Sequence, residues 1–370
     1  MDLSFSEITT PGKFGVRRNV LGIIINNNNN EDSSFVVSPY IAVHKLSCSL
    51  LIHIVKRLCS LRDRKMVDKI QYPGLTDPSL QHCVRLNSGN QKYLDFACLF
   101  PTFGKTYFPF ELNYDPVGPR DWMKDNFWIP VACAIIYAIA IFWGRSYFEK
   151  RSAWNWRAPL ALWNFGLSLF STIGFIRVAP FVLFNIYSYT LRENCCFDPE
   201  SHVGSGATGF WSQMFVLSKI PELFDTFFIV IHKKPLMFLH WYHHISVLLF
   251  TWHAYVNNSP TGAFFISMNY GVHAMMYFYY FLMAVRMKPK WFNPIWITVA
   301  QISQMFVGVF LTVYTTYILH FEEREDCLMR KDINQSALLM YGSYLFLFCK
   351  FFFERYYIRG KPSKTSKKVN

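Results

Sequence analysis

From Asp125 onward the chain alternates apolar stretches with short polar links. The stretches run to about 20 residues, enough for a helix rising 1.5 Å per residue to cross a ~30 Å hydrocarbon core. The pattern predicts spans at roughly 127–144, 159–179, 208–231, 236–254, 262–284, 292–318 and 337–356. The run Val178–Tyr189 is too short to be another span and reads as an extension of the second one or an interfacial piece. The expected fold class is all-α: a polytopic membrane protein with seven transmembrane helices in residues 105–360. Residues 1–104 break the pattern, with an Asn run at Asn26–Asn30 and a most apolar stretch, Ile41–Leu61, interrupted by His44, Lys45, His53, Lys56 and Arg57. No clean signal-peptide core is evident, so residues 1–104 read as a poorly ordered N-terminal extension. Residues 361–370 read as a basic tail.

Polar residues inside the spans are the second pattern. In the fourth span, His240, His243 and His244 fall at i, i+3 and i+4, on one helical face. Three imidazoles on an apolar helix are costly unless they face a polar interior. The third span carries Lys219, Glu222 and Asp225 at successive spacings of three, followed by Thr226. The fifth presents Asn269, His273, Met276, Tyr277 and Tyr280 on one stripe, and the sixth Thr298, Gln301 and Gln304. Counted from the Lys233–Pro235 turn, Asp225 and His240 sit at similar depth, roughly 10–12 Å in, which predicts that they meet. A lone buried His or Gln is usually a satisfied structural group. Four neighbouring spans with polar stripes at matching depth point to a reaction chamber.

Composition sharpens the picture. Apolar residues make up 52% and charged residues 16%, against about 25% charged in soluble domains. The net charge of +13 does not indicate nucleic acid, because Lys and Arg cluster between apolar runs. Fifteen basic residues, among them Arg145, Lys233, Lys234, Arg286 and the tail lysines, lie on the C-terminal side; four (Arg192, Arg324, Arg330, Lys331) lie opposite. That bias places the tail in the cytosol. The ending Lys367-Lys368-Val369-Asn370 fits the dilysine signal for retrieval to the endoplasmic reticulum. The irregularly spaced nine Cys do not read as a disulfide framework. Lumenal Cys327 can pair with Cys195 or Cys196 in an oxidising compartment, or all three can remain thiols.

Imidazole, with an unperturbed pKa of about 6.5, serves as base or nucleophile near neutrality. Cationic groups at the cytosolic rim suit an anionic soluble co-substrate, and the apolar walls suit an acyl chain. Acyl transfer from a thioester, with Asn and Tyr donors beside the histidines, is the natural reaction. A di-iron desaturase or hydroxylase is the main alternative, since such enzymes also use an HxxHH box. They need further His boxes, whereas here only His273 adds a histidine at matching depth. A non-catalytic lipid-binding membrane protein would not need ionisable groups on four facing stripes.

These residues carry a resemblance. From about Phe108 to its end the chain resembles the ELO family of very-long-chain fatty acid elongases. The matching motifs are Pro159-Leu160-Ala161-Leu162-Trp163-Asn164, KxxExxDT at 219–226, HxxHH at 240–244, NxxxHxxMYxYY at 269–280 and TxxQxxQ at 298–304. The resemblance implies a 3-oxoacyl-CoA synthase of the endoplasmic reticulum, condensing long-chain acyl-CoA with malonyl-CoA and releasing CO₂ and CoA. It implies seven spans, six of them around an acyl tunnel, with no metal or prosthetic group. The ketoacyl-CoA reductase, dehydratase and enoyl reductase of the elongation cycle are the implied partners. By the same resemblance Cys327 bonds Cys195 or Cys196, and His243 takes the acyl group while His240 and His244 orient it or shuttle protons. His273 and Asn269 polarise the thioester, and Lys219, Glu222 and Asp225 organise the chamber. Tyr277, Tyr280, Gln301 and Gln304 complete its wall. Members acting on polyunsaturated chains tend to carry Gln five residues before the first His. Here Pro235 stands there, which favours saturated and monounsaturated chains.

Overall fold

The computed structural model of the chain describes residues 72–201, 203–322 and 326–358. The Asn26–Asn30 run, the Ile41–Leu61 stretch and the Lys367–Lys368 signal lie outside the described residues. Each predicted apolar run is helical. After four short helices, α1 (Phe96–Leu99), α2 (Pro101–Gly104), α3 (Pro109–Leu112) and α4 (Val117–Asp125), come α5 (Trp128–Glu149) and α6 (Arg157–Ser188). Then follow α7 (Leu191–Cys196), α8 (Gly206–Glu222), α9 (Asp225–Ile231), α10 (Phe238–Val256), α11 (Gly262–Ala284), α12 (Pro294–Phe321) and α13 (Lys331–Phe352). Val178–Tyr189 is an extension: α6 runs unbroken to Ser188.

The third run is interrupted. Pro221 has no N–H to donate and its ring crowds the carbonyl of the preceding turn. The backbone passes Leu223 and Phe224 in tight turns, Leu223 N–H to Ile220 O and Phe224 N–H to Pro221 O, before α9 begins at Asp225. Among the described residues four helices, α5, α6, α12 and α13 with its extension to Tyr357, are long and apolar enough to cross a membrane. The chain is therefore an all-α polytopic membrane protein. The break shortens α8, and the ionisable and amide side chains of the polar stripes fall on α8 to α12.

On α5 the buried residues Ala134, Tyr137, Ile141 and Phe148 form one stripe, while Ile135, Ile136, Ile139 and Phe142 are exposed. A helix apolar on both faces suits a lipid surround. Helices α6 and α11 approach closely at Gly174, where a Cβ would lie 2.4 Å from the Tyr270 ring. Gly308 of α12 admits Tyr341 of α13 in the same way, at 2.6 Å.

One end of the bundle is covered by residues 72–125. Strands β1 (Val84–Leu86) and β2 (Lys92–Leu94) pair antiparallel, with Arg85 opposite Tyr93. Tyr72, Leu75, Cys83, Leu94 and Phe197 form a small core there, and the Tyr72 hydroxyl donates to Asn185 Oδ1 of α6 at 2.9 Å. The expectation of poor order across residues 1–104 is thus corrected for 72–104. Two features too short to show in a span pattern hold this cap: its own apolar cluster and a disulfide, Cys83–Cys98. The reading that the cysteines form no framework is corrected too, since a second disulfide joins Cys196 to Cys327. Cys195 is buried and unpaired as a thiol.

The cap is pinned to α6 by an ion pair. Arg177 Nε lies 2.9 Å from Glu111 Oε1, Trp211 Nε1 donates to the same oxygen at 2.5 Å, and the Phe108 N–H donates to Oε2 at 2.7 Å. Burial raises the Glu111 carboxyl, but the donors from Arg177, Trp211 and Phe108 outweigh it and hold the group below its ordinary value.

Two outcomes follow. Non-reducing peptide mapping should link Cys196, not Cys195, to Cys327, and Cys327→Ser should cost about 2–4 kcal/mol in thermal unfolding in detergent. A carboxyl with a depressed folded pKa adds stability above its unfolded value of about 4.3 and loses it as pH falls through the folded value. Glu111→Gln should therefore melt lower than wild type at pH 7, and the gap should close on acidification below pH ~4.

Candidate functional site

The break after Pro221 sets the geometry of the chamber. It leaves Glu222 as the last residue of α8 and Asp225 as the first of α9, so the two carboxylates serve different neighbours. Lys219 and Glu222 are only 2% and 3% exposed. Lys219 Nζ donates to Glu222 Oε1 at 2.7 Å and Oε2 at 3.0 Å, and to Asn269 Oδ1 of α11 at 3.3 Å. The ammonium also lies 4.1 Å from the centre of the Phe215 ring. Ser218 Oγ donates to Glu222 Oε1 at 2.8 Å, and His273 Nδ1 stands 3.8 Å from Glu222 Oε2. Such a buried pair is tolerable because its partners supply what water would.

Asp225 is held elsewhere. Trp163 Nε1 of α6 donates to Oδ1 and the Tyr277 hydroxyl of α11 to Oδ2, both at 2.6 Å. The predicted single charged face along Lys219, Glu222 and Asp225 is therefore split in two. The expected meeting of this segment with the histidines does occur, through the neighbouring residue: Thr226 Oγ1 is 2.8 Å from His240 Nε2.

The three histidines of α10 lie together. The His240 and His244 rings are 4.5 Å apart between centres, and His243 and His244 5.5 Å. His243 Nδ1 is buried without a partner. The Tyr344 ring of α13 lies 5.1 Å from His243, and the Tyr344 hydroxyl reaches Ser246 Oγ at 2.6 Å. His273 sits 5.4 Å from the Tyr277 ring. Gln301 Nε2 points to Met276 Sδ at 3.5 Å, leaving its Oε1 buried without a partner. Tyr280 packs in a cluster with Met276 and Tyr277.

His243, Asn269 and Gln304 line one end of an elongated cavity. Val247, Phe250, Phe265 and Ile266 continue its wall, and Arg120, Glu200 and Asn258 close the far end beneath the cap. There Arg120 pairs with Glu200 and donates to Asn258 Oδ1 at 3.2 Å. Among the long helices, α8, α10, α11, α12 and α13 contribute to the lining. α5 and α6 contribute no lining residue to this cavity, and α6 packs on α11 through Gly174.

Tyr137, Trp163 and Tyr344 were not singled out individually as site residues, although Trp163 falls within the first motif. Each is an aromatic residue in an apolar span, and its polar atom meets partners far away in sequence. No local pattern marks them.

The fold and site define a membrane-embedded helical protein with a histidine-rich chamber opening on an apolar cavity. Residues 122–365 match the ELO family, also described as the GNS1/SUR4 family. The chain belongs to that family. It is 39% identical over 260 residues to very long chain fatty acid elongase 6 of Gallus gallus, covering 70% of this chain and 96% of the relative. The Drosophila melanogaster elongase 6 is 39% identical over 255 residues, covering 68% and 80% respectively. Human very long chain fatty acid elongase 3 is 37% identical over 258 residues, covering 70% and 92%.

Breaking the buried pair by Lys219→Met, which strands the Glu222 carboxylate, should cost about 3–5 kcal/mol. The double variant Lys219→Met/Glu222→Leu should recover part of that loss. Thermal midpoints of the detergent-solubilised single and double variants measure the coupling.

Proposed function

We propose that this protein elongates long-chain fatty acyl-CoA by condensing it with malonyl-CoA to 3-oxoacyl-CoA. The single observation that carries this reading is the position of His243 at the polar end of a long apolar cavity. A thioester carbonyl placed there puts its alkyl chain among Val247, Phe250, Phe265 and Ile266. Family membership and relatives named fatty acid elongases support the same reading.

A His243 ring nitrogen attacks the acyl carbonyl, the C–S bond breaks, and CoA leaves as the thiol after taking a proton. Asn269, which lines the same end of the cavity, and His273 polarise the carbonyl. Malonyl-CoA then loses CO₂, and the resulting enolate carbon attacks the acyl-imidazole. The C–N bond breaks, restoring His243 and releasing 3-oxoacyl-CoA. His240 and His244 orient the nucleophile and carry protons. Lys219, Glu222 and Asp225 fix the chamber, while Tyr277, Tyr280, Gln301 and Gln304 complete its wall. Malonyl-CoA is the only co-substrate this reaction calls for. The iron-based alternative has less support: among the described residues only His82, Cys83 and Cys98 bring three ligand-type atoms together, and two of these form a disulfide.

Charge and redox state together support a cytosolic C-terminus. Both disulfides lie at the capped end, which suits the oxidising lumen of the endoplasmic reticulum. The basic links lie at the other end, which suits the cytosol. The two charged CoA substrates enter there, and the acyl chain points toward the lumen. All seven helical segments cross the membrane in this arrangement. Pro235 favours saturated and monounsaturated chains, and the reductases and dehydratase of the cycle take the product onward.

Microsomes containing the chain, given palmitoyl-CoA and labelled malonyl-CoA without NADPH, should form a labelled 3-oxoacyl product. Single-turnover labelling with acyl-CoA should leave a hydroxylamine-sensitive adduct on His243. Condensation with no adduct would remove the acyl-imidazole step, and absence of any product would remove the function.

A further inference from the structure

A hydrogen-bonded chain enters the histidine cluster from α5, a helix that contributes nothing to the cavity wall. The Tyr137 hydroxyl lies 2.7 Å from Thr226 Oγ1, and Thr226 Oγ1 lies 2.8 Å from His240 Nε2. Tyr137 is 5% exposed and Thr226 1%, so water does not satisfy these groups. Neither hydroxyl has another hydrogen-bond partner among the described residues.

The protons along this chain can be placed by elimination, because a buried O–H without an acceptor is costly. If His240 Nε2–H donates to Thr226 and Thr226 donates to Tyr137, the phenol proton has no acceptor. If Tyr137 and His240 both donate to Thr226, the threonine proton has none. Only one arrangement gives both hydroxyl protons an acceptor: Tyr137 donates to Thr226, and Thr226 donates to His240 Nε2. In that arrangement neutral His240 carries its proton on Nδ1.

We propose that Tyr137 and Thr226 are positioning residues that fix the tautomer and ring orientation of His240. Through the 4.5 Å contact of His240 with His244 and the 5.5 Å contact of His244 with His243, the chain holds the imidazole array in its reacting arrangement. This rests on the reading of that array as the acyl-transfer centre. The groups facing His240 include the neighbouring His244 and His243 rings and Thr226, with Asp225 next to Thr226 in sequence and bonded to Trp163 and Tyr277. The anchor of the array therefore lies outside the wall, on the first long helix, and ties α5 to the hinge between α8 and α9.

Full-length Tyr137→Phe, Thr226→Val, their double and Thr226→Ser test this in membranes and in detergent. Steady-state kinetics would be measured with acyl-CoA and malonyl-CoA, with thermal midpoints alongside. The first two variants should each lower kcat about tenfold, with KM within about twofold and melting close to wild type. Because they cut one chain, the double should be no slower than the slower single. Thr226→Ser, which keeps the hydroxyl, should restore kcat to within about threefold. The proposal is overturned if Tyr137→Phe leaves kcat unchanged, if the two losses multiply in the double, or if kcat merely follows the melting temperature. The His243 adduct separates the two levels. An adduct in wild type together with indifferent variants overturns the positioning role alone. Its absence from wild type overturns the acyl-enzyme reading on which the proposal stands.

Discussion

A lysine ammonium buried among apolar helices has to be surrounded by groups that replace water, and this demand governs the chamber. Lys219 meets it with both oxygens of Glu222, the amide oxygen of Asn269 and the face of Phe215. Those partners come from two helices, so satisfying one charge sets the axial register of α8 against α11. Once that register is set, His273 and Tyr277 fall at the level where α9 begins, and Tyr277 closes on Asp225. The unmade alternative, a stranded charge, costs several kcal/mol, which is large against the total stability of a folded chain.

The cavity then runs from ionisable to apolar to ionic along its length. Its polar end holds His243, Asn269 and Gln304, its middle is aliphatic and aromatic, and its far end is closed by Arg120, Glu200 and Asn258. The polar end can hold a reacting carbonyl, and the middle can shelter an alkyl chain from water. Of the five buried side-chain atoms without a partner among the described residues, His243 Nδ1 and Gln301 Oε1 belong to the polar stripes of α10 and α12, while Asn87 Nδ2, Tyr107 Oη and Ser205 Oγ lie outside them.

The spans and the chemistry-bearing stripes were legible because each is a local signal. Twenty apolar residues announce a helix, and an ionisable side chain among them announces a site. Which helices line the cavity was not legible, because a helix behind the wall and a wall helix, such as α6 and α11, have similar apolarity. The role of Tyr137 depends on Thr226, 89 residues away, and that of Trp163 on Asp225, 62 residues away. Nothing in the spacing joins them. The break between α8 and α9 did carry a signal in Pro221, but the periodic charges on either side suggested one continuous face. The cap at 72–104 was hidden because its elements are a few residues long and depend on a sulfur bridge. Cys195 and Cys196 are adjacent, and only backbone direction selects which of them meets Cys327.

The bond between Cys196 and Cys327 has a topological result. The 131-residue separation it spans contains every ionisable or amide side chain assigned to the chamber, from Lys219 to Gln304. All of them ride on one closed covalent ring, and the aromatic supports Tyr137, Trp163 and Tyr344 lie outside it. A protease that severs any connecting loop within that ring leaves a single molecule still tied through sulfur, with its full complement of reactive groups.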